Sequence, residues 1–292
     1  MKWKKVLLMD EFRYNLHNHT YYSDGELSPA KVIELNKKQG YNAIAITDHD
    51  SVEGIPEAIE AGKRLGVLVI PGIEISTAKS HMLGFFVDYK NPELVNFLKQ
   101  RKMRETEVAN HLIQGLVKQG YPLTQEKISK VINARYLNPW NISLALVKLG
   151  FAKNEGAAIA LVRKVPWLEN VSKGTRSAGN VSEREAIKLI RIAKGAPVLA
   201  HPFSAKQKLR YLTVPYRAFM LKRAGLMGLE VQHPSHSRLE RGFLHSVSTI
   251  LSLHKTGGAD FHYSVYDQLE EWKRIPQSRG VRKTIRTLHA RR

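Results

Sequence analysis

Runs that are apolar at every position alternate with helical periodicity through residues 1–90. Ala43-Ile44-Ala45-Ile46 and Val67-Leu68-Val69-Ile70 carry no polar side chain, the pattern of strands buried on both faces. Each run ends in polar residues, Thr47-Asp48-His49-Asp50 after the first and Glu74 and Ser76 after the second. His81 to Asp88 reads as a further strand. Between these runs, Ser28-Pro29 supplies the N-cap and first residue of a helix through Val32, Ile33 and Leu35 to Gly40, and a second helix is expected from Glu53 to Leu65, stopped by Gly66. Such alternation predicts an α/β fold with a parallel sheet covered by helices. Residues 91–181 lose the strand pattern and read as successive helices, broken at Gly120, Asn138-Pro139 and Gly150. The strand–helix rhythm resumes at Ser182-Glu183-Arg184-Glu185, a capping box. Three more strands end in histidine: Pro197 to His201, Leu226 to His233 and Gly257 to His262. The expected organisation is a discontinuous α/β unit of residues 1–90 and 182–278, a helical insertion of residues 91–181, and a basic tail of residues 279–292 with little core, extended or a frayed helix.

Composition narrows the chemistry. The chain has 292 residues, 43% hydrophobic, enough for one barrel or two smaller domains. It has no cysteine, which excludes disulfides, thiolate catalysis and sulfur-liganded metal sites. Basic residues number 46 against 26 acidic, a formal charge of +20, which favours phosphate-bearing or nucleic-acid partners. Many of these cations lie in the insertion, among them Arg101, Lys102, Lys148, Lys173 and Arg176. The basic start followed by Val6-Leu7-Leu8-Met9 is cut short by Asp10 and Glu11, too early for a signal peptide, and no run is long enough to span a bilayer. A cytoplasmic protein without membrane contact is expected; protein partners are not indicated.

The chemistry gathers at strand ends. His17 and His19, two apart in an extended segment, point to one face and can reach one metal ion, with Asp24 on the following turn able to reach another. An HxH pair alone is often incidental. Here it is joined by Asp48, His49, Glu74, His81, His201, Asp260 and His262 at later strand ends, the edge where α/β folds build their sites. Without cations, so many imidazoles and carboxylates on one rim would be costly to desolvate. Nitrogen and oxygen ligands suit Mn, Zn or Fe, and their number suits two or three divalent ions. Ions ~3.5–4 Å apart can clamp a phosphate and acidify a bound water. No glycine-rich phosphate loop precedes a helix.

The motifs His17-x-His19, Ser23-Asp24-Gly25, Thr47-Asp48-His49-Asp50, Pro71-Gly72-Ile73-Glu74-Ile75-Ser76, Ala200-His201-Pro202 and Gly258-Ala259-Asp260-Phe261-His262, in this order, resemble those of the PHP (polymerase and histidinol phosphatase) metallo-phosphoesterases, in particular the bacterial subgroup with a helical insertion. The resemblance implies a distorted (βα)7-type PHP barrel with an α-helical insertion domain and a trinuclear metal site. It implies one ion on His17, His19, Glu74 and Asp260, a second on Glu74, His81 and His201, and a third on Asp24, His49 and His262. Asp48 is then expected to orient a ligand histidine or, alternatively, to cap the strand end. The subgroup's insertion usually carries a Gly-Arg-Pro-His-like stretch that presents Arg and His to phosphate; this chain has Asn138-Pro139-Trp140-Asn141 instead, leaving Arg135 as the candidate phosphate contact. His233 and His236, in Gln232-His233-Pro234-Ser235-His236-Ser237, are candidates for donating a proton to the leaving oxygen.

The resulting expectation is a phosphoesterase that uses a metal-bound hydroxide on a nucleotide or short nucleic acid, as a 5′-3′ exonuclease or a nucleoside 3′,5′-bisphosphate phosphatase. Two alternatives stand beside it: a small-molecule phosphatase of the histidinol-phosphate type, and a nucleic-acid-binding protein whose metals are structural.

Overall fold

The computed structural model describes residues 12–135, 137–166, 181–203, 210–262, 275 and 279–290. The Met1–Met9 segment, Lys173 and Arg176 lie outside these. The described residues form seven strands and ten helices. The strands are β1 (Tyr14–Asn15), β2 (Ala43–Ile46), β3 (Leu68–Ser76), β4 (His81–Phe85), β5 (Ala196–Leu199), β6 (Gly228–Gln232) and β7 (His254–Gly257), and they lie side by side in chain order. The chain after β7 returns to the chain after β1: Leu16 N–H donates to Gly257 C=O at 3.2 Å and His19 N–H to Phe261 C=O at 2.8 Å, which nearly closes a barrel. Gly258 makes this approach possible, since a Cβ there would collide with the backbone of His17.

One strand departs from the expected parallel sheet. β4 runs antiparallel to both β3 and β5, while β1–β2–β3 and β5–β6–β7 are parallel. The cause is local. Only Thr77 to Ser80 separates β3 from β4, held by the Thr77 hydroxyl on Ser80 C=O at 2.7 Å, and so tight a turn can join only antiparallel strands. His81 therefore opens its strand instead of closing it, and the reversal brings it to the rim where its parallel neighbours end.

Helices α1 (Pro29–Lys38) and α2 (Ile55–Leu65) cover β2 and β3. Ser28 caps α1 by accepting from Lys31 N–H, Pro29 sits in its first turn, and Gly40 takes the left-handed conformation just past its end. Helices α7 (Glu183–Ile192), α8 (Arg210–Arg223) and α9 (Arg238–Ile250) share a second core with Ile73, Ile75, Met82, Leu199 and Leu229. Both α7 and α9 begin with a full capping box.

The 27-residue helix α3 (Pro92–Lys118) spans two cores: Leu94 and Leu98 pack on the barrel, whereas Leu112 and Leu116 join α4 (Gln125–Val131), α5 (Pro139–Lys148) and α6 (Glu155–Arg163) around a third. The tail takes the helical alternative and contributes more core than expected. Residues Arg279–Ala290 form helix α10, and Val281, Ile285 and Leu288 on one face are buried in the first core. Dense Arg and Lys on the opposite face hid that stripe. No described helix is long and apolar enough to cross a membrane.

Candidate metal centre

The rim brings every predicted ligand together around two carboxylates. Glu74, fully buried in β3, divides five imidazoles between its oxygens: His17 Nε2 (3.0 Å), His19 Nε2 (3.2 Å) and His49 Nε2 (3.4 Å) approach Oε2, and His81 Nδ1 (3.2 Å) and His201 Nε2 (3.1 Å) approach Oε1. Asp260 Oδ1 lies 3.1 Å from both His17 Nε2 and His19 Nε2, and its Oδ2 lies 3.4 Å from His233 Nε2. Asp24 reaches His19 Nδ1 at 3.4 Å, His262 Nε2 at 3.3 Å and His49 Nε2 at 3.8 Å. Two of these residues hold strained backbone, His201 at φ 24° and Asp260 at φ 53°, as does Asp50, beside His49, at φ 48°.

Donor atoms fall into groups that each lie within 4.8 Å of one another: His17, His19, Glu74 and Asp260; His19, Asp24, His49 and His262; His49, Glu74 and His81; and His17, Glu230 and His233. The first matches the set expected for one ion, and the second adds His19 to the set expected for another. His201 and His81 share Glu74 Oε1, but the third compact group takes His49 in place of His201. The residues fit metal ions on two counts. The donors are imidazole nitrogen and carboxylate oxygen without sulfur. In addition, His81 Nδ1 is buried with no hydrogen-bond partner among the described residues, although it faces Glu74.

The electrostatics follow from this crowding. Burial alone would lower the pKa of His17, but the carboxylates of Glu74, Asp260 and Glu230 hold it well above its ordinary value. Burial also acts against His262, yet Asp24 and Asp260 raise it to about 10. At His49 burial wins and lowers the pKa to about 3. Burial would raise Glu74 and Asp260, but the imidazoles around them, His17 foremost, hold both well below the usual carboxylate range.

Glu230 is the functional residue the sequence reading missed. It is buried in β6 and faces His17 Nδ1 at 3.0 and 3.3 Å, while accepting the His201 backbone N–H at 2.9 Å. A carboxylate on Nδ1 fixes the ring of His17 with Nε2 facing Glu74 and Asp260. A lone Glu inside the apolar run Leu226 to Val231 was the available signal. Asp48 accepts the Thr20 N–H (2.6 Å) and the hydroxyls of Thr20 and Ser23 (2.8 Å each), so it fixes the turn that carries Asp24, and Ser23 Oγ in turn lies 3.5 Å from His19 Nδ1.

The insertion holds the same turn from outside. Asn138 caps α5 and, with Asn141, donates to Ser23 C=O at 3.4 and 3.2 Å. Asn133 donates to Glu26 C=O at 3.0 Å, and Lys148 pairs with the Glu26 carboxylate at 2.8 Å. Arg135 is exposed. Its guanidinium lies over Tyr21 (4.9 Å) and Tyr22 (5.4 Å), beside the ligand cluster and not within it.

The two candidate proton donors part company. His233 sits in the cluster. Ser235 N–H donates to its Nδ1 at 3.1 Å, which leaves the proton of the neutral ring on Nε2, facing Asp260. His236 turns inward. Its Nδ1 donates to Val231 C=O (3.1 Å), its Nε2 accepts from Phe203 N–H (3.4 Å), and burial lowers its pKa to about 4. Both nitrogens of His236 are thus spent on backbone.

An α/β barrel whose rim gathers nitrogen and oxygen donors around shared buried carboxylates is the scaffold of a metal-dependent hydrolase. The model of the PHP domain matches residues 15–174, and the chain belongs to that family. It is 28% identical over 266 residues to a 5′-3′ exoribonuclease of Haemophilus influenzae, covering 86% of this chain and 90% of the relative. It is also 28% identical over 261 residues to a 3′,5′-nucleoside bisphosphate phosphatase of Chromobacterium violaceum, covering 85% and 86%. A solved structure of an amidohydrolase from Chromobacterium violaceum, with bound sulfate and no metal, shares the fold at a TM-score of 0.79 and 24% identity, covering 96% of each chain.

Proposed function

We propose that this protein is a divalent-metal-dependent phosphoesterase acting on nucleotides or short oligonucleotides. The observation that carries the reading is the convergence of five imidazoles on Glu74, with Asp24 and Asp260 completing a sulfur-free donor set on one rim. Family membership and the activities of the two relatives point the same way. His17, His19, Glu74 and Asp260 would hold one ion of the Mn, Zn or Fe type, His81 and His201 with Glu74 a second, and Asp24, His49 and His262 a third. Such ions, when bound, supply Lewis acidity at the phosphoryl oxygens and an acidified water.

The chain's own groups supply the rest. Glu230 fixes the ring of His17, Asp48 and the two asparagines fix the Asp24 turn, and exposed Arg135 offers a cation to incoming phosphate. His233 holds its proton at Nε2, on the site side of the ring, and passes it to the leaving oxygen. His233→Gln is expected to lower kcat about a hundredfold for an alcohol leaving group. The loss should shrink for nitrophenolate, which needs no proton, and metal content by mass spectrometry should be unchanged. Equal losses on both leaving groups would remove His233 from that role.

Loading of the site is read independently of turnover. Adding Mn²⁺ to chelated protein should stabilise the fold by about 2.7 kcal/mol at a hundredfold excess over Kd, seen as a higher melting temperature. Because imidazoles such as His262 are held protonated by their carboxylates, ion binding should release protons and weaken as pH falls. Titration calorimetry in buffers of different ionisation enthalpy measures this release. The direct test of function is mass-spectrometric product analysis of a short 5′-phosphorylated RNA and a nucleoside 3′,5′-bisphosphate with Mn²⁺, with His19→Ala alongside. Mononucleotides or released phosphate from wild type alone are expected. Activity that survives in His19→Ala would overturn metal catalysis here.

A further inference from the structure

Helix α8 is apolar on two opposite faces. Val214, Ala218 and Leu221 are buried against the barrel, as expected of a covering helix. On the other side Leu212, Tyr216 and Phe219, at helical spacing, are 70%, 67% and 46% exposed. A surface helix ordinarily turns polar side chains to solvent. The sequence between these exposed rings is basic and contains no carboxylate: Arg210-Tyr-Leu-Thr-Val-Pro-Tyr-Arg-Ala-Phe-Met-Leu-Lys-Arg223.

Tyr216 also lines a cavity of about 750 Å³ between α8, the start of α7 and the β3–β4 turn, shared with Lys79, Ser182, Arg184 and Arg217. Its carboxylate, Glu183, is already neutralised by a close ion pair with Arg217 and by the Ser80 hydroxyl. Lys79 and Arg184 are exposed and make no ion pair among the described residues, so their charge is available to a ligand. The position is specific as well. Lys79 lies two residues before His81, so the wall of the cavity adjoins the strand that brings His81 to the rim. Tyr211 on the same helix contacts Phe203 (5.1 Å between ring centroids), which contacts His236 (6.1 Å) and through it His233 (5.3 Å).

We infer that the aromatic face of α8 and this cavity form a path for single-stranded nucleic acid leading away from the metal rim, with Tyr216 and Phe219 stacking on bases and Lys79 and Arg184 neutralising phosphates. Rings interleaved with unpaired cations match a strand that offers a π-face and a charge at every nucleotide. The inference rests on the phosphoesterase reading and narrows its substrate to an oligonucleotide.

The test is fluorescence anisotropy of a hydrolysis-resistant phosphorothioate RNA of about ten nucleotides with Mn²⁺-loaded protein. The double substitution Tyr216→Ala, Phe219→Ala should weaken binding about tenfold or more, and Tyr216→Phe should retain it. Lys79→Ala with Arg184→Ala should lower the slope of log affinity on log salt by about 0.7 per charge removed. Hydrolysis of a nucleoside 3′,5′-bisphosphate should stay at the wild-type rate in all variants. All the replaced side chains are on the surface, and melting temperature checks the fold. Unchanged RNA affinity overturns the inference, as does an altered oligomeric state without altered RNA affinity, which would make the face an interface between copies. Wild type that hydrolyses the bisphosphate but does not retain RNA overturns the inference alone. Wild type that hydrolyses neither the bisphosphate nor an unmodified RNA of the same sequence overturns the phosphoesterase reading beneath it.

Discussion

Glu74→Gln is expected to lower turnover about a thousandfold or more while leaving the barrel folded. The substitution conserves volume in a fully buried position, so the core of β3 has no reason to move. It removes the charge on which five imidazoles converge within 3.0 to 3.4 Å. An amide also offers only one acceptor oxygen, where Glu74 presents one oxygen to three imidazoles and the other to two. Ions that depend on Glu74 as a shared ligand should be lost, lowering metal content per chain by mass spectrometry. Circular dichroism should keep its native shape. Near-normal turnover with full metal content would show that Glu74 is a structural partner of the histidines and not the centre of the site.

Much of this centre was legible because its chemistry repeats in register with the fold. His17-x-His19, His49, Glu74, His201, Asp260 and His262 each follow an apolar run, and a parallel barrel sends those run-ends to one rim. What escaped has physical reasons. His81 was legible as a ligand, but the direction of its strand was not: it stands at a strand start, and the short Thr77–Ser80 turn, which forces β4 antiparallel, brings it to the rim. Glu230 carries no motif; its role depends on facing His17 across 213 positions of sequence. The Asn138 and Asn141 pair looked like the loss of a phosphate-binding Arg and His, yet both side chains close on Ser23 C=O and support the Asp24 turn. In α10 the stripe of Val281, Ile285 and Leu288 was masked by the surrounding basic residues, although its spacing is helical. Residues that act through a distant partner leave no local periodicity or spacing to read.

The other large effect is expected outside the ligand set, at Arg101. This residue of α3 is buried, with Nε 2.8 Å from Asp50 Oδ2 and 3.6 Å from Glu105 Oε1. Asp50 in turn accepts the Ser76 N–H at 3.2 Å and follows His49, so the contact ties the long insertion helix to the strand ends that carry His49 and Glu74. Burial pushes the Asp50 carboxyl above its ordinary range even though Arg101 opposes it. Burial, with the charges of Asp50 and Asp24, raises Glu105 in the same way, again against Arg101. Desolvation therefore outweighs attraction, and the pair itself adds little net stability. Breaking one side is a different matter, because the remaining charge is buried without its counter-ion. Arg101→Met should cost about 3–5 kcal/mol of unfolding free energy, measured by urea denaturation. Asp50→Asn combined with Arg101→Met should cost clearly less than the sum of the single changes, because the double variant no longer leaves a charged Asp50 facing a missing Arg101. Turnover should fall in Arg101→Met and recover in part in the double variant, since the contact acts on His49 through Asp50. Additive costs would mean that Arg101 and Asp50 are held by other neighbours and that the insertion is anchored elsewhere, at the Ser23–Glu26 turn.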